Sequence, residues 1–97
     1  MGFKQAKVKL LQALSQGTFL HEARNAIEEK NLLSTGDVSV EDVIAIVNRC
    51  NGAHHTMSAH HQVPGVTVHV LKRDGWYIKF YFIDPDTYFI SVHQSEP

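Results

Sequence analysis

Seven histidines in 97 residues are the first feature to weigh. His54, His55, His60 and His61 lie close together, and His69 and His93 follow further along the chain. Imidazole has an unperturbed pKa near 6.5, so it can take or give a proton at neutral pH, or ligate a metal. One reaction that uses such groups is cleavage of a phosphodiester by the neighbouring 2′-hydroxyl. It needs a group to remove that proton, another to protonate the 5′-oxygen, and a cation or hydrogen-bond donors for the phosphorane. Histidine suits the first two tasks, tyrosine can donate, and lysine or arginine can hold phosphate. The candidates for acid–base and positioning roles are His69, Tyr77 and one of His55 or His60. Lys79, Arg24 and His93 are the candidates for holding phosphate.

Metal binding is the competing use of the same imidazoles, and the spacing does not favour it. Adjacent histidines on a strand point to opposite faces, so each pair offers at most one ligand to a site. On one face His54 and His60 stand about 20 Å apart along an extended strand. Neither a partnering cysteine nor a His-x-Glu pattern completes a set. The expectation is chemistry without a metal or cofactor, with a histidine-based metal-binding module as an alternative.

Positioning these groups falls to the stretch from His54 to Gln94. Val66 to Leu71, Trp76 to Ile83 and Thr87 to His93 are β-branched and aromatic at alternate positions, which fits half-buried strands. Pro64-Gly65, Asp74-Gly75 and Asp84-Pro85-Asp86 mark the turns between them. The pattern predicts a four-stranded antiparallel meander. Its period of two sorts Trp76, Ile78, Phe80 and Phe82 onto a buried face. Val66, Val68 and Val70, and Tyr88, Ile90 and Val92, are expected to join them. Thr67, His69, Tyr77, Lys79, Tyr81, Ser91 and His93 then share the opposite, polar face. Neighbouring strands lie close to 5 Å apart, so His69, Tyr77, Lys79 and His93 could converge on one phosphodiester. His55 falls by parity on the buried side and His60 on the polar side. A bulge that re-aims the imidazoles, or His60 in place of His55, would resolve that conflict.

The first half of the chain reads as helical. Phe3, Lys7, Leu10, Leu11 and Leu14 form a stripe that ends at Gly17. Thr18-Phe19-Leu20 reads as a short extended piece at the sheet edge. A second helix is expected from about His21 to Asn31, with Ala23, Ala26 and Ile27 inward. Ser39 caps a third, with Asp42 near its positive end and Val43, Ile44, Ile46 and Val47 as its apolar face. Three helices followed by a meander make an α+β fold, with the helices packed on one sheet face.

The composition fits one domain spanning residues 1–97, with 43% hydrophobic and 20% charged residues. No apolar run is long enough to cross a membrane, and no signal-peptide pattern opens the chain. The single Cys50 cannot pair within the chain and fits a reducing, cytoplasmic setting. A net charge of −1 excludes a protein that holds nucleic acid by bulk positive charge, and no DNA binding by the chain alone is expected.

The order of helices and sheet resembles the MqsR-type mRNA interferase toxins, whose fold is RelE-like. Four short stretches carry the resemblance from about Lys7 onward. Arg24-Asn25-Ala26-Ile27 resembles the family's Arg-Ser-Ala-Leu helix start, and His54-His55-Thr56-Met57-Ser58 its Tyr-Lys-Ser-Met-Thr strand. Tyr77-Ile78-Lys79-Phe80 resembles its Tyr-Leu-Lys-Ile, and Phe89-Ile90-Ser91-Val92-His93 its closing Ile-Val-Ser-Phe-Lys. The resemblance implies a metal-independent endoribonuclease that cuts mRNA and is neutralised by a cognate antitoxin protein. It places the family's catalytic tyrosine on Tyr77, its lysine on His55, and its glutamine between Thr67 and His69. Histidine in place of lysine exchanges a fixed cation for a titratable base. A different expectation stands beside this one: a non-catalytic interaction domain that docks a partner on its polar face or edge strand.

Overall fold

Glycine at position 17 stops the first helix as its sequence predicts. Helix α1 runs from Phe3 to Gln16, Gly17 takes a left-handed φ of 72°, and the Thr18 N–H returns to the Ala13 carbonyl. The computed structural model describes residues 1–22 and 31–94. Ala6, Leu10, Ala13 and Leu14 form the buried face of α1. Lys7 reaches across to the Asn48 and Cys50 carbonyls at 3.0 and 2.9 Å. Its ammonium thereby satisfies orphan acceptors at the negative end of a neighbouring helix.

That neighbour is α3, Val40–Arg49. The Ser39 side chain accepts from the Asp42 N–H, and the Asp42 carboxylate accepts from the Ser39 N–H. This reciprocal box fixes where the helix starts. Val43, Ile46 and Val47 face the core. A short α2, Leu32–Thr35, precedes it and buries Leu33, while a single 3₁₀ turn, Gly52–His54, leads from α3 into the sheet. The helix expected over residues 21–31 falls mainly on positions 23–30, outside the described residues. Its first residue, His21, belongs to a strand instead.

The sheet has five strands among the described residues, one more than the meander predicts. They are β1 (Phe19–His21), β2 (His55–Ala59), β3 (Thr67–Arg73), β4 (Trp76–Ile83) and β5 (Asp86–Gln94), in the order β1-β5-β4-β3-β2. The last four are antiparallel neighbours, as expected. The extended piece after Gly17 adds β1 parallel to β5, which makes the sheet mixed. The fold is α+β, with N-terminal helices packed against a C-terminal sheet.

The two sides of β4 are as predicted. Ile78 and Phe80 are buried beneath the helices with Trp76 and Phe82 beside them, while Tyr77 and Lys79 lie on the other face. The neighbouring strands correct the prediction. Asp74-Gly75 is a two-residue turn with φ of 53° and 80°, so Arg73 pairs with Trp76 and, counting back, His69 pairs with Phe80. His69 and Leu71 therefore face the helices, and Val68 and Val70 face away, the reverse of the expected assignment. In β5 the register slips between Lys79 and Phe80 of the partner strand, leaving Ile90 as an extra residue. Phe89 and Val92 face the helices, whereas Tyr88 and Ile90 do not. Ile90 instead packs with Val68 and Tyr81 in a smaller apolar cluster on the open side.

Candidate functional site

The register separates the histidine-centred candidates into three places. On the open face, Lys72 of β3, Tyr77 of β4 and His93 of β5 are direct cross-strand partners and form one row. The Tyr77 and His93 rings stack at 5.0 Å between centroids, and the Lys72 ammonium lies 5.5 Å from the Tyr77 centroid. The next row is Val70, Lys79 and Ser91. Two lysines, a phenol and an imidazole thus share an area two residues deep and three strands wide.

The His93 ring has a defined proton position. Its Nδ1 lies 3.1 Å from the Gln94 carbonyl oxygen, which can only accept. In the neutral ring Nδ1 therefore carries the proton and Nε2 keeps its lone pair, the form able to act as a base. Tyr77 offers a hydroxyl beside it, and Lys72 and Lys79 offer ammonium groups. Such a row can stack a base or ribose on an aromatic platform and hold a phosphate at its edge. Lys72 is not among the residues that the sequence pattern predicts for the site. The signal was there, because a two-residue Asp74-Gly75 hairpin places Lys72 opposite Tyr77.

His55 and His69 do not join this row; both lie on the helix side at the β2–β3 edge. His55 Nε2 and His69 Nδ1 are 2.9 Å apart, one donating to the other. Phe3 lies against His55, and the His69 ring stacks on Phe80 at 5.4 Å with Phe82 at the same distance. His69 is only 2% exposed. Burial, then the neighbouring His55, then the N-terminal amine push its pKa down from 6.5 to about 4. Burial also lowers His55. The convergence of His69 with Tyr77, Lys79 and His93 expected from parity does not occur, because the hairpin register puts His69 on the opposite side of the sheet.

His60 does sit on the open side, but as an anchor. Its Nδ1 accepts from the Gln62 and Val63 N–H groups at 3.0 and 3.1 Å. Its Nε2 donates to Glu22 Oε1 at 2.9 Å, an oxygen that also accepts from the Tyr81 hydroxyl at 3.0 Å. Both ring nitrogens are engaged and the side chain is 1% exposed. This imidazole orders the loop after β2 and ties it to Glu22, just past the end of β1, and has no nitrogen to offer a substrate. Arg24 lies outside the described residues.

Among the described residues, no three His, Cys, Asp or Glu side chains group to hold a metal ion. Cys50 is buried, with Sγ directed at the Ile46 carbonyl. No helix among the described residues is long and apolar enough to cross a membrane. No family model, curated protein or solved structure matches this chain.

Proposed function

We propose that the chain is a small RNA-cleaving enzyme of RelE-like architecture, acting without a metal through the Lys72–Tyr77–His93 row. His93 Nε2 takes the 2′-hydroxyl proton, and the Tyr77 hydroxyl protonates the leaving 5′-oxygen or donates to the phosphorane. Lys72 and Lys79 hold the phosphate. The observation that carries the reading is the row itself: a lysine, a phenol and an imidazole in register on adjacent strands, with the imidazole in its basic tautomer. The sequence resemblance to the MqsR-type toxins supports the class, which would make the substrate mRNA, the partner a cognate antitoxin and the setting cytoplasmic. The site differs from the one the resemblance implies, since His55 and His69 face the helices.

Incubating the chain with single-stranded RNA and a chelator tests this. The expected products end in 2′,3′-cyclic phosphate, and Tyr77→Phe slows their formation by about 10²-fold or more without altering the fold. Intact RNA at every enzyme concentration removes the reading.

One observation favours a second reading, a protein-interaction domain. Among the described residues β2 is a terminal strand whose Thr56, Met57, Ser58 and Ala59 are all exposed and uncharged, without the devices that usually protect an edge. An extended partner segment could add to it as a sixth strand. Retention of partner binding by Tyr77→Phe, with loss in Ser58→Pro and no RNA cleavage by the wild type, would favour it.

A further inference from the structure

The His55–His69 hydrogen bond sets two imidazole nitrogens directly against each other. The rings are inclined by only 13°, with centroids 5.2 Å apart and facing nitrogens 2.9 Å apart. The centroid separation is the N···N distance plus about one ring radius at each end. The two imidazoles therefore lie side by side in nearly one plane, their nitrogens pointing head-on along a shared axis. Two neutral nitrogens facing each other in line match the two-coordinate geometry of a soft monovalent cation.

The surroundings select the same kind of ion. Phe3, Phe80 and Phe82 enclose the pair with apolar surface, which disfavours a dication more strongly than a monocation. Met57 stands directly opposite His69 in the β2–β3 register, two residues from His55, and is 55% exposed. It therefore shares the face of both imidazoles and can bring a thioether, a soft ligand that zinc does not favour. His69 also lines a cleft of about 160 Å³ with Gly65, Val66, Thr67 and Phe82, a route to solvent.

We propose that His55 Nε2 and His69 Nδ1 form a site for Cu(I) or Ag(I), with the Met57 sulfur as an additional ligand. The ion takes the place of the bridging proton, which moves to the far nitrogen of the donating ring, so both histidines stay neutral. Bonds of about 2.0 Å on each side require the nitrogens to part to about 4 Å, a widening of about 1 Å. β2 is the strand placed to yield, since among the described residues it pairs on one side only, with β3. The site lies on the other face from Tyr77 and does not depend on the proposed nuclease.

The test is nitrogen-15 NMR of the full chain's imidazoles during titration with silver nitrate. Saturation at one equivalent, with the largest shifts at His55 Nε2 and His69 Nδ1, is the expected result. Shifts first at other histidines, or none at those two nitrogens, overturn the proposal. A Cys50→Ala chain excludes capture by the thiol, and the same two nitrogens must respond in it. Competition with a colorimetric Cu(I) chelator gives the affinity. Met57→Leu should weaken it at least tenfold, and His55→Gln, whose amide keeps a hydrogen-bond donor near His69, should abolish binding. Equal competition by wild type and His55→Gln also overturns the proposal.

Discussion

Acidification sets the buried His69 ring against its own proton, and the size of the effect follows from the structure. In the folded chain the pKa is pushed from 6.5 down to about 4, because the protonated ring would lie against Phe80 and Phe82 and close to His55. The unfolded chain binds that proton near pH 6.5, so it holds more protons than the folded chain between these values. Stability is therefore whole above pH 6.5 and falls as pH drops toward 4. At about 1.4 kcal/mol per pH unit, the loss from this one group reaches roughly 2.5 kcal/mol at about pH 4.5. The assay is urea unfolding of wild type and His69→Phe at about pH 7 and about pH 4.5. Phenylalanine fits the aromatic surroundings and cannot titrate. His55 and His21, whose pKa values burial also lowers, leave the variant some slope. The expected result is a pH-dependent loss in wild type that exceeds the variant's by about 2 kcal/mol. Equal losses in the two chains would refute the reasoning.

Other outcomes follow from single contacts. Ser39→Ala removes the side-chain acceptor at the start of α3 and should lower stability by about 1 kcal/mol in the same urea assay. Phe80→Ala opens a cavity where the ring is 1% exposed, and should cost about 3–5 kcal/mol. Lys72→Ala should weaken RNA binding and flatten its dependence on salt, read by fluorescence anisotropy at several ionic strengths. In His60→Phe the loop at Gln62 and Val63 loses its anchor; amide exchange there should rise before that of β4 does.

Much of the frame was legible in the chain because its signals are local. Gly17, the Ser39–Asp42 box and the Asp74-Gly75 turn each act within a few residues and appear where the sequence puts them. The alternation in β4 was equally clear, since its apolar residues occupy one face and its polar ones the other until Tyr81. β3 misled for a physical reason. Val68 packs with Tyr81 and Ile90 on the open side, and Val70 is buried on that side opposite Lys79, so valine did not mark the helix side. The hairpin register, which fixes His69 opposite Phe80, was a stronger guide than hydrophobicity. The extra residue at Ile90 had no signal of its own. It changes the parity of β5 and thereby brings His93 beside Tyr77. The anchoring of His60 was invisible because Glu22 and Tyr81 are distant in sequence.

The most direct trial of the central claim compares the two faces of the sheet in one reaction. Single-turnover cleavage of a labelled RNA, with chelator present, is measured for wild type, His93→Gln and His69→Phe. A rate reduced by about 10²-fold or more in His93→Gln, and nearly unchanged in folded His69→Phe, is the predicted result. The opposite ordering would place the chemistry under the helices and contradict the account.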